Sequence, residues 1–191
     1  MKKQFLLVTV FLFAITSVFA QESTFNKGDK ALNLSLGLGS TLYVGSYYSS
    51  KIPPISASLE FGAVDDLFDV EGLNLGVGGY IGYASARYEA SWYGGSYGWD
   101  YTNFILGARG SLHYPAVEKL DTYAGFMLGY RIVSAKEFGD WSGGTLLNAS
   151  TSTLASAFYV GGRYYFSSNF AALAELGYGI AYLNLGITLK F

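Results

Sequence analysis

Cysteine is absent from the 191 residues, which excludes a disulfide scaffold, a zinc ribbon, an iron–sulfur centre and a thiol nucleophile. Histidine occurs once, so no pair of His at ligand spacing exists to start a metal site. Charged residues make up 14% of the chain, roughly half the usual share. The net charge of -2 lacks the basic excess of a nucleic-acid binder, and nucleic acid is excluded as a partner. Beyond residue 20 no apolar run reaches the ~20 residues that a spanning helix needs. Yet the mean hydropathy is +0.27. Aromatic residues reach 18%, and 25 positions are Gly. Many aromatics with little charge argue against disorder. A hydrophobic chain with no membrane helix points to a membrane β-barrel, whose backbone groups are all paired between strands.

The first twenty residues read as a cleaved export signal. Lys2 and Lys3 form a positive start, Phe5 to Ile15 is almost unbroken apolar sequence, and Val18-Phe19-Ala20 precedes polar Gln21 and Glu22. An uncleaved anchor helix is the alternative, but the apolar stretch is too short to span. No Cys follows the cut, so the pattern is not that of a lipoprotein. Residues 21–30 are expected to be a short periplasmic N-terminal tail, and residues 31–191 the barrel.

From residue 31 onward the hydrophobic period is two. Leu32, Leu34, Leu36 and Leu38 share one face, and so do Leu183, Leu185, Ile187, Leu189 and Phe191. A helix would scatter these leucines around its circumference. Six further alternating segments lie between, which predicts an all-β fold: an eight-stranded antiparallel transmembrane up-and-down β-barrel. Residues 45 to 53, 91 to 99 and 136 to 152 are expected to be long loops on one side. The connections near Asp65-Asp66, 115 to 120 and 167 to 169 are expected to be tight turns on the other. The loop at Tyr178-Gly179 is short, which predicts an uneven rim.

Charge decides which face meets lipid. Glu60, Arg109, Arg131, Arg163 and Glu175 all lie mid-strand opposite the leucines, together with most strand Gly and Ser. In a membrane barrel the apolar face points outward and the polar face inward. A soluble calyx, with charges outside, would show many more Lys and Glu on that face. Eight strands leave an interior only just wide enough for side chains. Buried charges must then be paired. The five residues are expected to form one lumen network, with Arg163 and Glu175 as a diagonal pair on neighbouring strands. Tyr and Phe cluster at the strand ends, as membrane-interface girdles do.

With these residues in place, the chain resembles the small eight-stranded outer-membrane barrels of Gram-negative bacteria, the OmpA/OmpX-like group. The resemblance covers residues 31 to 191. Asn184, Gly186, Leu189 and Phe191 in the last strand look like that group's assembly signal. The resemblance implies an integral protein of the cell outer membrane, recognised during biogenesis by periplasmic chaperones and the barrel-assembly machinery. It further implies contact with outer-membrane lipid and lipopolysaccharide, and a monomeric state. The chain stops at Phe191, so a peptidoglycan-binding domain is not expected.

No chemistry stands out. Lipid-modifying relatives of this fold use a His, and His113 is the one candidate. It falls at the periplasmic end of its strand, away from the outer leaflet, where a hydrogen-bonded structural role is the simpler reading. Asp65, Asp66, Asp69 and Glu71 lack calcium-loop spacing. Gly94-Gly95-Ser96-Tyr97-Gly98 lacks the Lys and helix of a phosphate loop. No cofactor is implied. Trp92, Tyr93, Tyr97, Trp99, Phe138 and Trp141 are expected on outer loops, as contacts for an extracellular ligand or as a cover for the mouth. The leading expectation is a non-enzymatic structural or surface-interaction protein. A narrow pore and a lipid A-modifying enzyme are its rivals.

Overall fold

Alternating sequence becomes strand wherever one face can be buried and the other can meet a different solvent. The computed structural model describes residues 24–92, 95–139 and 148–191, and these form a closed barrel of eight consecutive antiparallel strands. The strands are β1 (Lys30–Ser40), β2 (Tyr48–Val64), β3 (Asn74–Trp92), β4 (Gly95–Val117), β5 (Leu120–Gly139), β6 (Asn148–Tyr165), β7 (Phe170–Tyr178) and β8 (Ala181–Lys190). Closure is made by β1 against β8. Leu32 faces Leu189 and Leu36 faces Leu185, and the chain ends exchange the bonds Lys30 N–H to Phe191 O (3.1 Å) and Phe191 N–H to Lys30 O (2.9 Å). The export signal, Tyr93 and Trp141 lie outside the described residues.

The inside–outside assignment follows the alternation. Leu34, Ile81, Leu106, Leu128, Leu154, Val160, Leu176 and Leu185 are all exposed on the outer surface. Glu60, Arg109, Arg163 and Glu175 are buried within. An exterior of leucine, valine and phenylalanine around a charged interior is inverted relative to a water-soluble protein, and it is the arrangement lipid requires. The fold is therefore a membrane-spanning barrel. Gly186 shows how tightly the closing strands approach: a Cβ there would collide with the Leu34 carbonyl.

Strand lengths differ from the sequence expectation in one respect. A membrane crossing takes about 9–11 residues. β7 has 9, β8 has 10 and β1 has 11, whereas β3 has 19, β4 has 23 and β5 has 20. The segment 91 to 99, expected as a loop, continues the ladder to Trp92 opposite Gly95. Its Tyr and Trp residues are good strand formers, and the alternating pattern simply persists beyond the membrane. Likewise β2 begins at Tyr48, inside the expected loop 45 to 53. β5 runs to Gly139 and β6 starts at Asn148, inside the expected loop 136 to 152. Trp92, Tyr97, Trp99 and Phe138 are therefore strand residues of a raised wall and not loop residues. The wall drops to a two-residue turn at Gly179–Ile180 between β7 and β8, where Gly179 takes a φ of +120.

The expected N-terminal tail is not free. Phe25 is fully buried in the termini end of the barrel. Asn74 Nδ2 donates to the Phe25 carbonyl (2.7 Å), Lys190 Nζ donates to the Thr24 carbonyl (3.0 Å), and the Lys27 amide donates to Asp65 Oδ1 (2.6 Å). The segment folds across the opening and inserts one ring as a stopper.

The outward face generates a direct test. Leu185 lies mid-strand on β8 and is 45% exposed. Leu185→Arg should destabilise insertion by about 2–4 kcal/mol, the cost of Arg at the bilayer midplane. Urea titration of the barrel refolded into vesicles measures this. An unchanged midpoint would reverse the facing.

Candidate functional site

The lumen is filled from the termini end up to the layer that holds Ile180, and its contents are ordered in layers. Above the Phe25 stopper sits a cluster of four charged side chains from four strands. Arg163 Nη2 donates to Glu60 Oε2, and Arg163 Nη1 donates to Asp121 Oδ2 at 3.2 Å. The His113 ring lies between the same two carboxylates, with Nδ1 2.9 Å from Asp121 Oδ1 and Nε2 3.1 Å from Glu60 Oε1. With both carboxylates ionised, each ring nitrogen donates, and two positive groups balance two negative ones. The Phe25 ring covers the cluster from below, 4.5 Å from the His113 ring, and the Tyr123 ring lies 4.7 Å from the Arg163 guanidinium carbon.

A second pair lies further up the lumen. Arg109 Nη2 donates to Glu175 Oε1 at 2.5 Å, and the Tyr123 hydroxyl donates to the same oxygen at 2.9 Å. The Arg109 guanidinium stacks over the Tyr159 ring at 3.9 Å. Room for that ring comes from Gly125, where any Cβ would meet the Tyr159 hydroxyl. Next come Tyr80, Ile105, Met127 and Ile180, all buried, with Leu42 packed against them. Ile180 is supplied by the short β7–β8 turn, which folds inward; the Thr41 amide donates to its carbonyl at 3.0 Å. The cavity between this apolar layer and the Arg109–Glu175 pair is about 20 Å³, room for one water at most.

The expected single network is thus two separate clusters with different partners. Arg163 does not pair with Glu175. The register places Glu175 opposite Gly161 and Arg163 opposite Leu173; Glu175 instead pairs with Arg109 across the lumen, and Arg163 pairs with Glu60 across the lumen and with Asp121 directly opposite it on neighbouring β5. In so narrow a barrel the opposite wall is as close as the neighbouring strand. Arg131 belongs to neither cluster; it is half-buried nearer the mouth, close enough to act on the Tyr43 hydroxyl, and makes no ion pair among the described residues. The cluster also contains two residues outside the expected five. His113 was read as structural, and Asp121 had a signal that was available: it shares the parity of inward Tyr123 and Met127 on β5. In the last strand, Asn184 faces Glu175 and Gly37 on the lumen side, Leu189 faces outward, and Phe191 is exposed at the end of the closing ladder.

At the mouth end the lumen opens under the raised wall. Tyr43 donates from its hydroxyl to Asn103 Oδ1 at 3.2 Å and stacks on Tyr101 at 5.0 Å, with Tyr48 and Tyr88 continuing the aromatic cluster. On the outside of the wall Arg87 holds Asp100 with two bonds, Nε to Oδ1 at 2.7 Å and Nη2 to Oδ2 at 2.8 Å. Lys51 adds a third at 2.8 Å, and the Arg87 guanidinium lies 4.0 Å over the Phe138 ring. Trp99 is half-buried beside Tyr88, and Tyr97 is exposed. The Arg87 hydrogen bonds, with Lys51 adding to them, hold the Asp100 carboxyl down at about 2.

Two predictions follow the geometry. Arg163→Met leaves two carboxylates facing one His, and breaking a buried pair in this way should cost about 3–5 kcal/mol, read as a lowered urea midpoint of the refolded barrel. For Asp100 the folded value lies below the ordinary 3.8, so its contribution is complete above about pH 4 and disappears as pH falls through about 2. Amide-exchange protection of the β3–β4 wall should fall in that window while the barrel belt keeps its own. Asp100→Asn should abolish the pH step.

No protein-family model and no curated protein match the chain. Solved structures do. Ail, the attachment invasion locus protein of Yersinia pestis, is similar at 16% identity over 86% of this chain and 99% of its own, with a TM-score of 0.45. The N-terminal β-barrel domain of Pseudomonas aeruginosa OprF is similar at 13% identity over 86% and 98%, with a TM-score of 0.45. The outer membrane protein AlkL, solved in lipid bilayers, is similar at 17% identity over 92% and 95%, with a TM-score of 0.47. What the chain has in common with them is the fold of a small membrane β-barrel.

Proposed function

We propose that this protein is a sealed, non-catalytic barrel of the bacterial outer membrane that holds the raised β3–β4–β5 wall above the lipid surface and presents its outer face and mouth to the surroundings. The observation that carries this reading is the filled lumen. Phe25, the Glu60–His113–Asp121–Arg163 cluster, the Arg109–Glu175 pair and the Ile105–Met127–Ile180 layer stand in series. An ion would have to break at least one buried salt bridge to pass, at a cost of several kcal/mol.

The same geometry speaks against lipid chemistry at His113. Both ring nitrogens are occupied by carboxylates and the ring is buried at the termini end. A general base needs a free nitrogen within reach of substrate. The termini end faces the periplasm and the raised wall faces outward, in keeping with short turns on the inner side of such barrels and long connections on the outer side.

Two measurements test this. The mature chain in a planar lipid bilayer should be electrically silent, and deletion of residues 21–29 should leave it silent, because the layers above Phe25 still block the lumen. Discrete currents from the folded parent would overturn the sealed reading in favour of a pore. Ser96→Cys should react with a membrane-impermeant maleimide in intact cells; labelling only after lysis would reverse the orientation.

A further inference from the structure

The mouth contains a concavity that the sealed-barrel role leaves unused. β2 carries Pro53 and Pro54, which donate no backbone hydrogen bond, and its register against β3 slips between Ser50 and Ile52 and again between Ile52 and Ile55. The bulged stretch stays paired with β3, Ser50 opposite Ala86 and Ile52 opposite Ser85, and the small side chains of Ala84, Ser85 and Ala86 leave a space beside it. The cavity measures about 120 Å³. Its remaining lining is Ser40, Tyr43, Tyr48, Ser49, Ser50 and Ile52.

The chemistry of that lining is specific. No charged side chain is in the lining, Lys51 next to Ser50 and Ile52 is committed to Asp100, and Arg131 lies near the Tyr43 hydroxyl. A cationic guest would be desolvated with no carboxylate in the lining, at a large cost. The rings of Tyr43 and Tyr48 pack on each other with centroids 5.4 Å apart at 31°, and both border the cavity. Ser40, Ser49, Ser50 and Ser85 contribute to the lining, and a serine hydroxyl can donate and accept. Ser40 is engaged by the Leu42 amide and Tyr43 by Asn103. Among the described residues no hydrogen bond within the protein engages the hydroxyls of Ser49, Ser50 or Tyr48. Aromatic carbon beside uncharged hydroxyls matches a pyranose ring, which has an apolar C–H face and a rim of hydroxyls. The volume is well below the ~300–1,000 Å³ of sites that enclose a whole ligand. It suits one terminal ring, with the rest of a chain leaving through the mouth.

We infer that the cavity between the bulged start of β2 and Ala84–Ala86 binds a single neutral hexopyranose at the end of a glycan. The inference rests on the mouth being the outward end, as under Proposed function. Two sources share this chemistry, the membrane's own glycolipid and a soluble or foreign glycan.

The test uses the folded barrel, residues 21–191, in phospholipid nanodiscs, with saturation-transfer NMR on the methyl α-D-pyranosides of glucose, galactose and mannose. One ring with few contacts should bind with a Kd of about 1 mM, so each probe is used at about 20 mM. At least one neutral glycoside should show transfer centred on its ring C–H protons. Tyr48→Leu should weaken it about tenfold, the loss of one aromatic contact. Ala86→Leu, which fills the cavity, should abolish it, while Tyr97→Leu on the distant wall should leave it unchanged. Ser49→Ala, at an exposed position, serves as a milder variant should the leucine disturb folding, and it should reduce transfer. No transfer from any of the three, equal transfer in all variants, or stronger transfer from glucuronate or glucosamine would overturn the inference. Repeating the experiment in discs containing lipopolysaccharide with its full core separates the sources: suppression of the free glycoside's signal identifies the glycolipid, and an undiminished signal a soluble glycan. Binding by the isolated barrel does not depend on its orientation in cells, so failure here is distinguishable from failure of the labelling test.

Discussion

An eight-stranded barrel in lipid has a narrow interior that must be packed with side chains, and the alternation of the strands makes those side chains the polar ones. Both constraints act on the same residues. Charges placed inside must be neutralised within a space a few side chains wide, because no water column is available to solvate them. This protein meets the demand with two balanced groups, Glu60–His113–Asp121–Arg163 and Arg109–Glu175–Tyr123, separated by aromatic rings lying over glycines. Filling and neutralising are therefore one arrangement, and it also closes the lumen to ions. The need to fill extends to the ends: Phe25 closes one opening and Ile180 folds into the other half.

The belt was legible because period-two alternation is a local signal. Leu32 to Leu38 and Leu183 to Phe191 specify strands, and the mid-strand charges on the opposite face specify that the leucines turn outward. The same parity located Glu60, Arg109, Arg163 and Glu175 inside. Pairing was not legible, because it depends on the distance across the closed barrel. That distance is set by strand number and shear and not by any local pattern, so the Arg163–Glu60 and Arg109–Glu175 pairs have no sequence signal, whereas Arg163–Asp121 is a direct neighbour contact between β5 and β6. Asp121 lies beside a turn, where the alternation is only beginning, yet it keeps the parity of inward Tyr123 and Met127.

The wall illustrates a different limit. Gly and Ser among the aromatics of 91 to 99 suggest a loop, yet that composition is equally compatible with a twisted ladder outside lipid, where the strand no longer needs apolar residues on either face. What distinguishes the two is the cross-strand register, Trp92 opposite Gly95 and Arg87 opposite Asp100, which becomes visible only in three dimensions. The N-terminal segment is similar. Thr24 to Asp29 has no strand pattern, and nothing local announces that Phe25 will become part of the interior.

The unequal strand lengths give the molecule a front and a back. β3, β4 and β5 rise well above the lipid, while β7, β8 and β1 end near it. A neighbour diffusing in the plane of the membrane meets a tyrosine-rich parapet on one side and a low sill on the other. Access to the mouth from within the surface layer is directional, open over the β7–β8 turn and screened over the opposite half of the circumference. Crowding by long surface polymers would therefore shield this barrel unevenly, and rotation about the membrane normal becomes a variable in any encounter it makes.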